Sequence, residues 1–198
     1  MKRVLALLIL FALPGAAAAA SAQRHVFSQL DFSAEFPSTP TVTVVSADTA
    51  RVAAWSAAQT YPLFTVQVEL TQGKLPKDPT DDEVQAMWSS LRYRVGHEAG
   101  RVVAADQRKF KNLTAMRMRT KNEKTGRIEE SLRVLSPKDG YLYTLSVTGA
   151  QKEVDAMRDR FWDSFEHLKP RDPAARERFW KFPAKGAGTA NNAAPAAK

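Results

Sequence analysis

Three histidines, His25, His97 and His167, are the first residues in this 198-residue chain to weigh for proton transfer or metal ligation. A zinc-hydrolase helix needs H-E-x-x-H, which stacks two imidazoles on one helical face. The stretch "GHEAG" supplies His97-Glu98 but no second histidine. His97 and His167 fall near predicted helix ends, where the helix dipole favours an imidazolium that does no catalysis. No cysteine is present, which removes thiol nucleophiles, thiolate metal sites, disulfides and the lipidated cysteine of a bacterial lipoprotein. The chain has no G-x-S-x-G elbow, no S-x-x-K and no glycine-rich phosphate loop, and several of its nine glycines lie in the C-terminal tail. Asp81-Asp82-Glu83 is a carboxylate cluster, but it opens a predicted helix, where acids offset the positive dipole end, and it lacks the spaced oxygens of a calcium loop. The chain therefore reads as a non-enzyme, with no catalytic residue, metal or cofactor expected.

Charge is the strongest departure from a neutral background. Between Arg92 and Arg127 lie eleven Lys or Arg residues against three acids. In "AMRMRTK", strand parity puts Met116 and Met118 on one face and Arg117, Arg119 and Lys121 on the other. Pairing the next strand with residue sums near 248 sets Arg119 opposite Glu129 and Arg117 opposite Ser131. With Arg108, Lys109 and Lys111 on the preceding strand and its turn, these residues are the expected contact with an anionic partner on a solvated sheet face. Ordinary cross-strand pairing on an exposed face is the competing reading.

The elements that must position these residues follow from periodicity. Leu30, Phe32, Ala34 and Phe36 alternate with Asp31, Ser33 and Glu35, which predicts a half-buried strand ended by Pro37. "RVAAWSAAQT" and "LFTVQVELTQG" predict two more strands, the latter with Phe64, Val66, Val68 and Leu70 inward. Val84, Met87, Trp88, Leu91 and Val95 then adopt helical spacing, with Thr80 and Glu83 forming a capping box and Gly96 or Gly100 closing the other end. "RVVAADQRKF", "LTAMRMRTKN", "RIEESLRVLS" and "YLYTLSVTG" predict an antiparallel meander with turns at Lys124-Thr125-Gly126 and Pro137 to Gly140. "AQKEVDAMRDRFWDSFEHL" predicts a last helix with Val154, Met157, Phe161, Phe165 and Leu168 on one face. Strands, helix, strands, helix define an α+β fold with helices packed on an antiparallel sheet.

The ends read differently. "MKR", the apolar "VLALLILFAL" and the small residues to Ala22 predict a signal peptide over 1–22, cleaved between Ala22 and Gln23. An uncleaved anchor is the alternative, but Pro14-Gly15 interrupt the apolar run well short of the roughly 20 residues a span requires. Losing Lys2 and Arg3 takes the net charge from +8 to +6. The expected location is periplasmic or secreted, the expected partner an envelope protein, glycan or anionic lipid surface, and nucleic acid is not expected. The α+β domain is predicted over 23–169, a short amphipathic segment over 170–183 and a disordered tail over 184–198. In that amphipathic segment, Phe179, Trp180 and Phe182 sit among Arg176, Arg178 and Lys181. Burying each ring gains roughly 1.5–3 kcal/mol, which gives only marginal attachment to a membrane. Docking on the chain's own body avoids the entropy of association, so the rings are expected to fasten the tail's root to the domain.

"DFSAEFP", the capped central helix, "YLYTLSVTG" and a last helix ending "FWDSFEHL" together resemble the PsbP/Mog1-type α/β/α sandwich, including its bacterial extracytoplasmic relatives, over Phe27 to Leu168. That resemblance implies a largely non-enzymatic family of accessory or binding domains, such as a photosystem extrinsic subunit and a GTPase-binding nuclear protein. No functional residue is carried over from it, and the absent cysteine departs from relatives that look like lipoproteins. The function expected is a non-catalytic exported binding protein of the bacterial cell envelope. The alternatives are a hydrolase using acids or an imidazole among Asp48, Asp106, Glu98 and His97, and a carrier of apolar ligands with a pocket of roughly 300 Å³ or more.

Overall fold

The computed structural model describes residues 22–57, 60–71, 75–98, 101–169, 173–181 and 188–189. The predicted signal peptide up to Ser21, Phe182 of the predicted amphipathic segment and all of the predicted tail but Gly188 and Thr189 lie outside them. In chain order the elements are β1 (Gln23–Phe27), β2 (Phe32–Phe36), β3 (Thr41–Ser46), β4 (Thr49–Ala57), β5 (Thr60–Leu70), α1 (Asp81–Glu98), β6 (Arg101–Phe110), β7 (Leu113–Lys121), β8 (Ile128–Ser136), β9 (Tyr141–Gly149), α2 (Gln151–Ser164), β10 (Glu166–His167), α3 (Pro173–Lys181) and β11 (Gly188–Thr189). The fold is α+β. An eight-stranded sheet runs β11-β3-β4-β5-β9-β8-β7-β6 and a three-stranded sheet runs β1-β2-β10. Every pairing among the described strands is antiparallel. No helix among the described residues is long and apolar enough to cross a membrane.

Period two explains how the large sheet divides its faces. Val52, Val66, Leu132, Tyr143 and Leu145 point to one side, where they meet β1, β2 and α2 through Phe32, Phe36, Val154, Phe161 and Trp162. Met116, Met118, Leu135 and Leu142 point to the other, where Trp88, Leu91 and Val95 of α1 cover them. Fully burying side chains of this size contributes roughly 1.5–3 kcal/mol each, so the two interfaces hold the sandwich without disulfides.

Local signals set the element ends. The Thr80 backbone N–H donates to Glu83 Oε2 at 2.7 Å and the Glu83 N–H returns to Thr80 Oγ1 at 3.3 Å, completing the predicted capping box of α1. Asn122 Oδ1 accepts the N–H groups of Lys124 and Thr125, and Gly126 takes φ +68° to turn β7 into β8. Lys111 and Asn112 both adopt positive φ, the two-residue turn that suits the twist of the β6–β7 hairpin.

Three differences from the sequence reading have physical causes. First, α2 stops at Ser164 rather than Leu168, because Glu166 and His167 pair with Ser33 and Phe32 of β2. The Phe165 N–H returns to the Trp162 carbonyl, and Lys111 Nζ donates to the Asp163 and Phe165 carbonyls at 2.8 and 2.6 Å. Second, Met157 is exposed, and Trp162 takes the inward place assigned to it. Third, β2 is not half-buried. It is the central strand of the small sheet, so Asp31 and Ser33 are buried along with the phenylalanines. β1 and β3 are strands that weak periodicity concealed, and β4 ends at Ala57, short of the predicted Thr60.

Candidate functional site

The predicted basic platform is reorganised by a one-residue change in pairing. Arg119 lies opposite Glu130 and Arg117 opposite Leu132, so the expected Arg119–Glu129 and Arg117–Ser131 pairs do not form. The shift places Glu130 on the same face as both arginines, under α2. Glu130 is fully buried. Its Oε1 lies 2.5 Å from Arg117 Nη2, and its Oε2 accepts from Arg119 Nε and Arg158 Nη1, both at 2.7 Å. Asp155 of α2 closes the knot on Arg119 and Arg158. Arg117 and Arg119 therefore lie between sheet and helix, not on a solvated face. A buried carboxylate is tolerable only when cations and hydrogen bonds surround it, and here three guanidinium groups do so.

The remaining predicted contact residues disperse. Arg108 and Lys121 are exposed, while Lys109 donates to Thr114 Oγ1 at 3.3 Å. Lys111 is engaged at the end of α2, as described above. The residues considered for carboxylate chemistry also separate. Asp48 accepts from Ser46 Oγ and Thr49 Oγ1 at the β3–β4 turn, Asp106 lies 3.9 Å from Arg117, and His97 packs on Tyr93 at the end of α1. His25 lies between Phe27 and Phe36, where burial holds its imidazole below the ordinary value.

A charge cluster that the sequence reading missed surrounds His167. Its Nε2 lies 3.3 Å from Asp139 Oδ2, and Ser136 Oγ donates to the same carboxylate oxygen at 2.6 Å. Asp139 thus stands between the hydroxyl and the imidazole. Asp31 lies beside them with φ +54° and its Oδ2 3.4 Å from Arg176 Nη1 of α3. Burial pushes the Asp31 carboxyl above its ordinary value, with Arg176 and His167 opposing. Arg176 also covers the Tyr141 ring at 4.3 Å, and Trp180 Nε1 donates to Tyr141 Oη at 3.2 Å. Phe179 and Trp180 pack against the main core. A cleft of about 1090 Å³ runs beside α3 along Leu70, Pro137, Asp139 and Trp180.

A second polar face of the sheet lies on the α1 side, over the strands that α1 leaves bare; Arg51 is exposed there, Ser131 and Ser146 are buried and the rest are half-buried. The pairing registers align its side chains in rows across β4, β5, β9 and β8. One row is Arg51, Gln67, Thr144, Arg133; the next is Ala53, Thr65, Ser146, Ser131; the third is Trp55, Leu63, Thr148, Glu129. Arg51 Nη2 donates to Gln67 Oε1 at 3.3 Å, and the Thr65 and Ser146 hydroxyls share a hydrogen bond of 2.5 Å. Tyr61 continues the aromatic edge. Its ring meets Trp55 at 5.5 Å, and the Arg127 guanidinium lies over it at 3.7 Å. Burial raises the Glu129 carboxyl, with Arg133 and Arg51 pulling it back. A small hollow of about 150 Å³ opens between Tyr61, Arg127, Glu129 and Thr148. Parity alone marks these residues as one face of each strand. Only the register shows that they adjoin.

The fold and these clusters define an α+β domain with one half-buried, cation-bearing sheet face. No family model matches the chain, and no curated protein matches it. Among solved structures, one from Bacteroides thetaiotaomicron VPI-5482 is similar with a TM-score of 0.43 and 11% sequence identity. The match covers 76% of this chain and 50% of that one, so this chain spans about half its length.

Proposed function

We propose that this protein is a non-catalytic, exported binding protein of the bacterial cell envelope, a PsbP/Mog1-like sandwich that meets an anionic partner through a basic sheet face. The observation that carries this reading is the exposure of Arg51 and Arg127 on the face of the large sheet that α1 leaves uncovered. Arg117 and Arg119 are excluded from the contact because Glu130 and Asp155 already meet their charge. Export rests on the leader-like first 22 residues.

The test is binding of the chain from Gln23 onward to anionic and zwitterionic vesicles and to soluble polyanions, at low and physiological salt. Binding that weakens with salt, and that falls in Arg51→Glu and Arg127→Glu, is expected. Salt-insensitive binding, or equal binding by both variants, refutes the basic face as the contact.

A second reading, carriage of an apolar ligand, is favoured by one feature. A cleft of about 510 Å³ between α1 and the sheet is lined by Leu75, Pro76, Met87, Leu91 and Leu142 together with the charged Glu69, Glu83 and Arg94. Saturable binding of a fatty acid, lost on Met87→Glu, would establish it; absence of binding would remove it.

A further inference from the structure

We propose that the chain forms a dimer in which β6 pairs antiparallel with β6 of a second copy about Gln107, joining two eight-stranded sheets into one. The inference stands on β6 alone and does not depend on the basic-face reading.

β6 ends the large sheet, and among the described residues no strand lies on its outer side. The opposite edge strand, β3, carries β11 there. Ala104, Asp106, Gln107, Arg108 and Lys109 of β6 are exposed. An edge of this kind is a template for another strand.

The backbone pattern decides which groups the edge offers. The Lys111-Asn112 turn closes on Phe110 and Leu113, so that pair is hydrogen-bonded. Alternation then commits Arg108, Asp106 and Ala104 to β7 and turns the N–H and C=O groups of Ala105, Gln107 and Lys109 outward. With Gln107 on a twofold axis, Gln107 exchanges hydrogen bonds with its counterpart. Ala105 does so with the second copy's Lys109, and Lys109 with its Ala105, making about six backbone bonds in all.

Charge selects this register. It sets Asp106 opposite the second copy's Arg108 and Arg108 opposite its Asp106, at the non-hydrogen-bonded positions where side chains come closest. Moving the axis to Asp106 keeps the same outward groups but opposes two carboxylates, and moving it to Arg108 opposes two guanidinium groups. Both are unfavourable. Neither side chain is strongly engaged within its own chain. Asp106 lies 3.9 Å from Arg117, which Glu130 already neutralises, and Arg108 makes no ion pair among the described residues.

A twofold contact requires a surface complementary to itself. One acid and one base, two residues apart about a central Gln107, meet that requirement. Edge strands can resist pairing through a bulge, and β6 has one between Val102 and Ala104. It lies beyond the paired segment, whose last pair is Ala104 with the second copy's Phe110.

The chain from Gln23 onward is followed by sedimentation equilibrium at low salt over about 1 µM to 1 mM, a range suited to a small interface. A monomer–dimer equilibrium is expected. Asp106→Arg and Arg108→Asp are each expected to weaken it roughly tenfold or more by opposing like charges. An equimolar mixture of the two variants is expected to form a heterodimer, because two bases on one copy then meet two acids on the other. Gln107→Cys, in a chain with no other cysteine, is expected to give a disulfide-linked dimer on mild oxidation. Val45→Cys, exposed on β3, is the control, and the melting temperature of each variant verifies folding.

A monomer throughout the range overturns the inference. So does a dimer that both folded charge variants retain, or a pair of monomeric variants that do not combine. Gln107→Cys cross-linking no faster than Val45→Cys overturns it as well.

Discussion

Arg176 Nη1 lies 3.4 Å from Asp31 Oδ2, joining α3 to a carboxylate that is 1% exposed. The same guanidinium covers the Tyr141 ring and donates to the Asp139 carbonyl. The segment after the domain is thus fixed by a buried charge as well as by its aromatic rings. Arg176→Ala is expected to cost roughly 3 kcal/mol at neutral pH, because it leaves Asp31 buried without its cation.

The pH dependence of that loss has a definite sign. Burial holds the Asp31 carboxyl above its ordinary 3.8, so the folded state keeps a proton that the unfolded chain releases. Stability from this group is full below 3.8 and is lost as pH rises through the raised value. Removing Arg176, which opposes the rise, widens that window. Urea unfolding across the acid-to-neutral range is expected to show Arg176→Ala closest to wild type at acid pH. A constant difference across the range would show that Asp31 is not the group responsible.

Glu130 is the counter-charge for Arg117, Arg119 and Arg158. Glu130→Gln keeps the shape but removes the carboxylate that all three guanidinium groups share, leaving Asp155 to Arg119 and Arg158, at a cost of roughly 3 kcal/mol. Added salt is expected to recover part of it by screening. Denaturant midpoints at low and high salt measure both effects, and a variant as stable as wild type would mean the knot is solvated.

Trp180 is half-buried against the core and its indole N–H reaches Tyr141 Oη. Trp180→Ala is expected to lower stability by roughly 1–2 kcal/mol, a fall of about 3–6 °C in melting temperature for a domain of this size. Trp180→Phe is expected to lose about 1 kcal/mol, the worth of one hydrogen bond. Unchanged melting of both variants would show that α3 does not hold the body.

Thr80→Ala removes one half of the capping box at α1. The expected loss is about 1 kcal/mol. Circular dichroism with thermal melting checks it, and Thr80→Ser is expected to restore most of the stability.

The candidate site was only partly legible in the chain. Parity correctly separated Met116 and Met118 from Arg117 and Arg119, because a strand's side chains alternate whatever its partners are. Two facts about neighbours were not written in that pattern. A register one residue away from the expected one brought Glu130 between Arg117 and Arg119, and α2 covered that face while α1 left the opposite one half bare.

By itself, the sequence determined the antiparallel α+β order, the cap of α1, the turns at Gly126 and Gly140 and the absence of any thiol chemistry. Each of these depends on residues within a few positions of one another or on composition alone. Only the tertiary structure decided which cations are buried, which carboxylate holds α3, and that Trp55, Arg51 and Glu129 share one surface. Those outcomes depend on contacts between strands and helices far apart in the chain, where a shift of one residue in pairing changes which side chains oppose one another.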